Sequence, residues 1–295
     1  MSKSTKTISA FYLGVSVAVA GSIWAGRADA ADIKRVTERV VPFAVGGRLN
    51  LENKNGRITV EAWSQPEVRI QITRSVRAGS DAKAEELLKQ LKVDVEVRGN
   101  RIDIISRFPK RQETIGLWDI LGRKVASLQI HYYVQVPRDT DVTLETANGE
   151  VRVRGVAGEL EASTTNGDVR VTQAEGRIDL TTTNGEIEIM GASGSAKART
   201  TNGSVVAELR ALGSRDAVEL MTTNGNVEVY LPGDAKATMD AQTTNGRVSM
   251  TLPITMRGMV TSKVVRGTIN GGGAAVTLAT TNGNVEVRRL SERRR

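Results

Sequence analysis

The chain has 295 residues, no cysteine, one histidine and a formal net charge of +8. Without cysteine it has no disulfides, no thiol chemistry and no lipid attachment at a cysteine. Aromatic residues make up only 3% of the chain and there are 29 glycines, which favours a thin β core of small aliphatic side chains over a thick globular core.

Residues 1–30 have the form of a secretory signal. Lys3 and Lys6 give a charged start, residues 8–20 form a short apolar segment, and Ala28-Asp29-Ala30 places small residues around a cleavage position. We expect cleavage before Ala31 and an exported chain that is periplasmic or associated with the cell envelope. No later stretch reaches the roughly 18 apolar residues that span a bilayer, so the sequence predicts no transmembrane span after cleavage. An uncleaved signal that acts as an anchor is the alternative.

The basic charge is concentrated in a short tail. Removing residues 1–30 deletes three basic residues and one acidic residue, which lowers the net charge to +6. The tail, residues 288–295, has five arginines and one glutamate and so carries +4 of that charge. This distribution gives little support for binding to nucleic acid. A solvated, disordered end is favoured for the tail, with contact of Arg293, Arg294 and Arg295 to an anionic polymer or lipid as the alternative.

Residues 31–140 are predicted to form a β-rich N-terminal unit with one helix. An opening strand at Arg39–Phe43 is followed by Gly47–Val60, which has the same pattern as the later repeats and so predicts an early rung of the same structure. The helix is predicted from Ser80, which can cap it, to Leu91. The remaining strands of this unit are expected at Val68–Thr73, Val93–Val97, Arg101–Ser106 and Gln129–Val136.

The least regular segment of this unit is the loop at residues 108–128. It carries Trp118 and several aliphatic residues between two basic pairs. This loop is predicted to fold back and cap an open end of the β array, because a stack of strands must hide its last member. Insertion of Trp118 into a membrane interface, or its contact with a partner, is the alternative.

Residues 141–287 repeat one phrase, Thr-x-Asn-Gly followed by an alternating apolar strand. The first four asparagines of this array are spaced by 18 residues each, and the next two intervals are 22 and 21 residues. So tight a period indicates a structural repeat. With the early rung included, the predicted structural corners are Asn55-Gly56, Asn148-Gly149, Asn166-Gly167, Asn184-Gly185, Asn202-Gly203, Asn224-Gly225, Asn245-Gly246 and Asn282-Gly283.

Each repeat contains two short alternating runs. Ile178 and Leu180 before the Asn184 corner, and Ile187 and Ile189 after it, would share one interior while their neighbours face water. This period of two predicts strands. Asn-Gly is expected to supply the positive φ of a tight corner.

A second glycine, Gly158, Gly176 or Gly194, is expected at the opposite corner of the unit. The predicted fold class is therefore all-β: a β-solenoid or β-roll of two-strand coils of about 18–22 residues, with one short N-terminal helix. An antiparallel β-meander, in which each Asn-Gly is a hairpin turn, is the alternative. The solenoid is favoured because coils of fixed length stack Thr on Thr and Asn on Asn, whereas a meander gains nothing from identical corners.

The interval between Asn245 and Asn282 is longer, at 37 residues. It includes the glycine run at residues 271–273. We interpret this interval as one irregular rung with Asn270-Gly271 as its corner.

The sequence contains few groups that suggest chemistry. Glu150, Asp168 and Glu186 follow successive corners and would stack in neighbouring rungs, where they could hold a divalent cation or act as acids and bases. The same row continues as Ser204, Asn226, Arg247 and Asn284, and each of the three acids has an arginine close by, so a solvated mixed-charge face is favoured. His131 has no cysteine or second histidine with which to bind a metal. We predict no catalytic residue, no metal and no cofactor.

The rows of threonine and asparagine also have two interpretations. Regular threonine arrays can match ordered ligands or repetitive polymers. A structural role is favoured here, because asparagine satisfies backbone groups within corners and threonine prefers strands.

The chain resembles the bacterial putative-adhesin β-repeat family, whose exported or envelope-associated proteins contain a widespread domain without an assigned function. The resemblance rests on Leu49–Val60, on the strand that ends at Val136-Pro137, and on the serial Thr-Thr-Asn-Gly-x-Val units. It covers nearly all of the mature chain. The resemblance implies an architecture, and it brings no catalytic residues with it.

We therefore predict an exported, non-enzymatic β-repeat protein, either an adhesin or a structural or binding module of the envelope. Its expected partner is an envelope component or surface polymer. Two alternatives remain: a carbohydrate-active enzyme built on a β-solenoid, and a membrane-associated scaffold in envelope-stress signalling.

Overall fold

The computed structural model of the protein describes residues 31–109, 127–256 and 261–292. The predicted signal at residues 1–30, the loop residue Trp118 and the tail residues Arg293, Arg294 and Arg295 lie outside the described residues. In the described part of the chain, no helix is both long and apolar enough to cross a membrane.

Two large sheets make up nearly all of the described structure. From one edge to the other, the first sheet consists of β1 (Ala31–Pro42), β4 (Glu67–Ala78), β7 (Ser127–Pro137), β3 (Ile58–Trp63), β9 (Val151–Arg154), β11 (Val169–Thr172), β13 (Ile187–Ser193), β15 (Val205–Ala211), β17 (Val227–Leu231), β23 (Val285–Arg289) and β19 (Val248–Met250). The second sheet consists of β20 (Thr255–Met256), β21 (Val264–Ile269), β18 (Ala237–Asn245), β22 (Ala274–Asn282), β16 (Ala217–Asn224), β14 (Ala196–Asn202), β12 (Ile178–Asn184), β10 (Leu160–Asn166), β8 (Asp141–Asn148), β2 (Arg48–Glu52), β6 (Arg101–Arg107) and β5 (Lys92–Arg98).

The repeats stack in parallel and in register. Leu160 lies opposite Ile178, and Ile178 lies opposite Ala196, so each strand pairs with the equivalent strand of the next repeat. Each repeat is one rung, with one strand in either sheet and an Asn-Gly corner between them. The predicted β-solenoid is confirmed, and the antiparallel meander is wrong for the repeat array.

The core is a narrow layer of aliphatic side chains between the two sheets. Ile178, Leu180, Ile187 and Ile189 are each at most 2% exposed, as their alternation predicts. Burial of one such side chain stabilises the fold by about 1.5–3 kcal/mol. Because each rung covers the apolar face of its neighbours, stability is spread along the stack.

The early rung joins the array directly. Strand β2 lies between β6 and β8, and β3 lies between β7 and β9, so the corner at Asn55 stacks on the corner at Asn148. The prediction of an early rung is confirmed. The stretch between Trp63 and Asp141 forms an insertion in sequence that extends the same two sheets outward.

The inserted stretch and β1 together form the N-terminal end of the stack. Strands β1, β4 and β7 pair antiparallel, and the helix α1 (Asp81–Gln90) packs on β4 and β1. The Ser80 side chain caps this helix by accepting a hydrogen bond from the Lys83 amide at 3.3 Å. Leu87, Leu88 and Leu91 are at most 1% exposed, so the helix is part of the continuous core.

The last rung of the chain does not occupy the last place in the stack. Strands β22 and β23, which contain the Asn282 corner, lie between the Asn224 rung and the Asn245 rung. The Asn245 rung therefore precedes the Asn282 rung in sequence but lies outside it in space.

This order overturns the interpretation of residues 246–281 as one irregular rung. Strand β21 runs antiparallel to β18 along its outer edge, and β20 pairs antiparallel with β21. Asn270, Gly271 and Gly272 have φ values of +49°, +87° and +88°, which turn the chain back so that β22 can enter on the inner side of β18. The segment forms an antiparallel edge because its turn reverses the strand direction.

Candidate functional site

The asparagines of the repeat corners form one continuous hydrogen-bonded ladder. In six of the seven corners the Nδ2 group donates to the Oδ1 atom of the asparagine in the neighbouring rung, at 2.8–2.9 Å, and at the first corner Asn148 Nδ2 donates to the Lys54 carbonyl. In spatial order the ladder contains Asn148, Asn166, Asn184, Asn202, Asn224, Asn282 and Asn245. Asn55 pairs with Asn148 through the backbone, and its own Nδ2 group donates to the Leu128 carbonyl at 2.6 Å. The asparagine row is thus engaged within the fold.

The corner glycines are required mainly because the rungs approach each other closely. A Cβ atom at Gly185 would lie 1.9 Å from the Gly167 carbonyl oxygen, and one at Gly167 would lie 2.1 Å from that of Gly149. Positive φ, the expected reason for glycine, is absent at Gly149, Gly185 and Gly246. The prediction of a positive φ is therefore wrong at these three corners. Glycine is required there because a Cβ atom would collide with the backbone of the neighbouring rung.

A row of buried threonines, the inner threonine row, lies two residues before each corner asparagine. Six of its hydroxyls donate to the corner glycine carbonyl of the neighbouring rung at 2.8–3.2 Å. The inner threonine row contains Thr146, Thr164, Thr182, Thr200, Thr222, Thr280 and Thr243. These bonds tie each rung to the next from inside the coil.

The inner threonine row ends at the early rung. Asn53 occupies the equivalent place and donates to the carbonyls of Gly56 at 3.2 Å and Ile130 at 2.9 Å. The Thr146 hydroxyl would otherwise reach the Gly56 carbonyl, and among the described residues it has no partner.

A second row, the outer threonine row, lies one residue before each corner asparagine and points outward from the second sheet. The outer threonine row contains, in spatial order, Thr165, Thr183, Thr201, Thr223, Thr281 and Thr244. In the described part of the chain, none of these six hydroxyls makes a hydrogen bond. This row therefore differs from the asparagine ladder and the inner threonine row, which are consumed by bonds between rungs.

Five members of the outer threonine row line a shallow depression, the corner groove, of about 590 Å³. The groove crosses β12, β14, β16, β22 and β18 and ends at Val264 on β21. Its other side is formed by side chains three residues before each corner asparagine. Those side chains are Thr181, Arg199, Met221, Ala279 and Gln242.

Charge in the groove is balanced. Arg199 is the cationic side chain in its lining, and its guanidinium forms an ion pair with the Glu219 carboxylate on the neighbouring strand. Thr181, Met221, Ala279 and Gln242 contribute no charge. The site therefore offers hydroxyl, amide, methyl and thioether groups on a regular lattice of strands.

The acids after the corners, Glu150, Asp168 and Glu186, each lie immediately before a strand of the first sheet. The Glu150 carboxylate contacts Arg57 at 3.2 Å, Arg152 at 2.7 Å, and also Arg170. Each of its nearest charged neighbours is thus a cation, as in a mixed-charge face.

Asp168 and Glu186 belong to the same row. Asp168 contacts Arg170 at 2.9 Å and also accepts a hydrogen bond from the Glu186 amide at 3.0 Å. Within the described residues, no group of three or more His, Cys, Asp and Glu side chains is arranged to hold a metal ion.

His131 lies on β7 and has a structural contact. Its Nδ1 atom accepts a hydrogen bond from the Arg57 amide at 3.0 Å. Partial burial, with the positive charges of Arg57 and Lys34, lowers the pKa of His131 below its usual value of 6.5. The neutral ring that this pKa favours is the form that can accept the amide hydrogen.

Several groove residues were not identified as site residues from the sequence. The position three residues before the corner asparagine has no common residue type, so the repeated Thr-x-Asn-Gly phrase does not reveal it. The residues at this position include Arg199, Met221, Ala279 and Gln242. Aligning the repeats at their corner asparagines would place these residues in one column. Their spatial order also depends on the insertion of the Asn282 rung, which the alignment does not reveal.

The sequence profile of the Toastrack DUF4097 family matches residues 126–288, more than half of the chain. The chain belongs to this family. The Toastrack DUF4097 match includes all seven rungs of the repeat array, and the prediction of a bacterial putative-adhesin β-repeat protein is confirmed at the level of the family. Among curated proteins, none matches the chain.

Solved structures similar to this Toastrack protein share little sequence with it. A "putative cell adhesion protein" from Clostridium sporogenes ATCC 15579 has 12% identity and a TM-score of 0.39, with 88% of this chain and 100% of the other covered. A "putative adhesin" from Bacteroides fragilis NCTC 9343 has 11% identity and a TM-score of 0.39, with 86% and 96% covered. A "putative lipid binding protein" from Parabacteroides distasonis ATCC 8503 has 9% identity and a TM-score of 0.22, with 86% and 96% covered.

Proposed function

We propose that this protein is an exported, non-enzymatic binding module of the bacterial cell envelope, which holds an envelope component or surface polymer in adhesion or in envelope structure. The residues 1–30, with the form of a secretory signal, support export. The resemblance to the putative-adhesin β-repeat family, whose proteins are exported or envelope-associated, supports an envelope role.

The observation that carries the proposal is the corner groove on the face of the second sheet. The hydroxyls of its outer threonines are repeated at the spacing of the strands and make no hydrogen bond within the described residues, so they remain available to a ligand. The groove is open and shallow, and its lining includes no acid. Binding without chemistry fits such a surface better than catalysis, which requires positioned acids, bases or nucleophiles.

The acids of the first sheet support the same conclusion. Glu150 contacts three arginines, and its charge is therefore compensated by the protein itself. A general acid of a glycosidase instead needs an environment that raises its pKa, and it needs a second carboxylate across the substrate.

Cell fractionation combined with an envelope-binding assay tests the proposed function. The tagged full-length protein is expected in the periplasmic or envelope fraction, and the purified mature chain is expected to sediment with isolated envelopes in a saturable manner that excess unlabelled chain competes away. Residence in the cytoplasmic fraction would contradict the proposal. So would release of reducing ends from envelope polysaccharides by the wild-type chain and not by an Asp168→Asn variant.

A further inference from the structure

The polar rows around the corners differ in how the fold uses them. The asparagine ladder and the inner threonine row are bonded from rung to rung, and the row after the corners also makes such bonds, for example from the Asn284 amide to Asn226 Oδ1 at 2.8 Å. The outer threonine row makes none in the described part of the chain. Among the described residues, its hydroxyls therefore form a regular set of donors and acceptors near the corners that remains open to a ligand.

The groove has the length and shape of a site for a linear chain. Neighbouring strands are about 4.8 Å apart, so the five threonines from Thr183 to Thr244 span about 19 Å. The strands run across the groove, and the groove itself runs along the stack axis. A ligand lying in it would meet one outer threonine at each strand, at an interval close to the length of one sugar ring in an extended chain.

The lining selects the chemistry of that chain. Hydroxyl groups and the Gln242 amide can both donate and accept hydrogen bonds, which suits a polyhydroxylated ligand. Met221, Ala279 and the threonine methyl groups supply apolar area for the flat faces of sugar rings. The charge of Arg199 is compensated by Glu219, so the lining has no excess of cations to attract a polyanion.

Taking the proposed function as its basis, we propose that the corner groove binds an uncharged, extended, β-linked polysaccharide whose chain runs across β12, β14, β16, β22 and β18. A peptide partner fits less well. The groove lies on the face of the sheet, where the strand edges are already paired, so a peptide cannot add as a further strand. The lining also contains no aromatic anchor of the kind that dominates protein interfaces.

The test uses the mature chain with threonine methyl groups labelled for NMR. The probes are hexamers of β-1,4-linked glucose and of β-1,4-linked N-acetylglucosamine, with alginate as a polyanion. At least one neutral hexamer is expected to shift the methyl signals of Thr201 and Thr223 in a saturable manner. Alginate is expected to cause no such shift at Thr201 and Thr223, because Arg199, the cation of the lining, is already paired with Glu219.

Two variants alter the groove, and a third variant serves as the control. Thr201→Val with Thr223→Val removes two hydroxyls while keeping their shape, and should weaken binding about tenfold. Ala279→Trp fills the centre of the groove and should abolish binding. Thr143→Val with Thr277→Val is the matched control, because both threonines face outward from the same sheet, do not line the groove, and make no hydrogen bond in the described structure. This control should bind as the wild type does.

Envelope sedimentation of the same variants separates the two proposals. If the wild type binds envelopes but neither neutral hexamer, the glycan inference is overturned and the proposed function stands. Equal hexamer binding by the wild type and the Thr201→Val, Thr223→Val variant also overturns the inference, as does envelope binding that is lost on protease treatment of the envelopes. If the wild type binds neither envelopes nor hexamers, the proposed function itself fails.

Discussion

Replacing one corner glycine by alanine should destabilise the protein through the spacing of its rungs. At Gly185 the added Cβ would lie 1.9 Å from the Gly167 carbonyl oxygen and 2.5 Å from its carbon, whereas real Cβ contacts essentially never fall below 3.0 Å. The two rungs must therefore separate locally by roughly 1 Å, in a stack whose usual strand spacing is about 4.8 Å. Overpacking of this kind costs about 1–3 kcal/mol.

That separation also strains hydrogen bonds between the rungs. The Gly167 backbone amide donates to the Asn184 carbonyl at 2.9 Å, and the Asn184 side chain donates to Asn166 Oδ1 at 2.9 Å. Weakening one or two such bonds adds about 1 kcal/mol. We expect Gly185→Ala to lower the free energy of unfolding by about 3 kcal/mol in all.

Two other glycines separate the steric cause from the conformational one. Gly99 has a φ of +57° but no atom within 4 Å of an added Cβ, so Gly99→Ala should cost only about 1 kcal/mol for its left-handed backbone. Gly79 has neither a positive φ nor a close neighbour, so Gly79→Ala should change stability by less than about 0.5 kcal/mol.

Urea unfolding followed by circular dichroism measures all three variants on one scale, because a change in midpoint at constant slope reports a change in stability. The expected order of destabilisation is Gly185→Ala, then Gly99→Ala, then Gly79→Ala. If Gly185→Ala were as stable as Gly79→Ala, the close approach of the rungs would be refuted, since the corner would then have room for a methyl group.

Three further predictions concern single side chains. Thr182→Val should cost about 1–2 kcal/mol in urea unfolding, because it leaves the Gly167 carbonyl without its 3.0 Å donor, whereas Thr183→Val should be nearly neutral; equal costs would contradict the division into inner and outer rows. Asn184→Ala removes two ladder bonds and should cost about twice as much as Asn245→Ala, which removes one at the end of the ladder; a larger cost at Asn245 would contradict the ladder. The single imidazole signal of His131 should titrate below pH 6.5 in NMR, because its folded pKa is lowered. Its contribution to stability should be complete above pH 6.5 and lost as the pH falls towards the folded value, and His131→Gln should remove that loss; a pKa above 6.5 would contradict the assignment.

Much of the coil could be predicted from the sequence, because its local rules are simple. Alternation at Ile178, Leu180, Ile187 and Ile189 assigns these residues to one interior, and the constant interval of the first four corners assigns them to stacked rungs. The helix could be predicted from its Ser80 cap and apolar stripe. Each of these features depends on neighbours within one repeat or one helix.

The place of the last rung could not be predicted in this way. The phrase at Asn282 is the same as that at Asn224, so nothing in it indicates which neighbours its strands will take. The order is decided by β21, which turns antiparallel to β18, and by the turn at Asn270 that brings the chain back inside. The composition of the corner groove depends on this order, because Ala279 becomes the neighbour of Met221 only after insertion.

The insertion of the Asn282 rung between the Asn224 and Asn245 rungs is tested most directly by measuring which rungs are neighbours. Engineered cysteine pairs can measure this, because the chain has no other cysteine. Thr223 and Thr281 lie on adjacent strands at about 4.8 Å, within the range that a disulfide bridges, whereas Thr223 and Thr244 are two strands and about 9.6 Å apart. Under mild oxidation, the Thr223→Cys, Thr281→Cys protein should form its disulfide readily, and the Thr223→Cys, Thr244→Cys protein should not. The opposite result would mean that the rungs stack in sequence order, and would contradict the structure on which the groove depends.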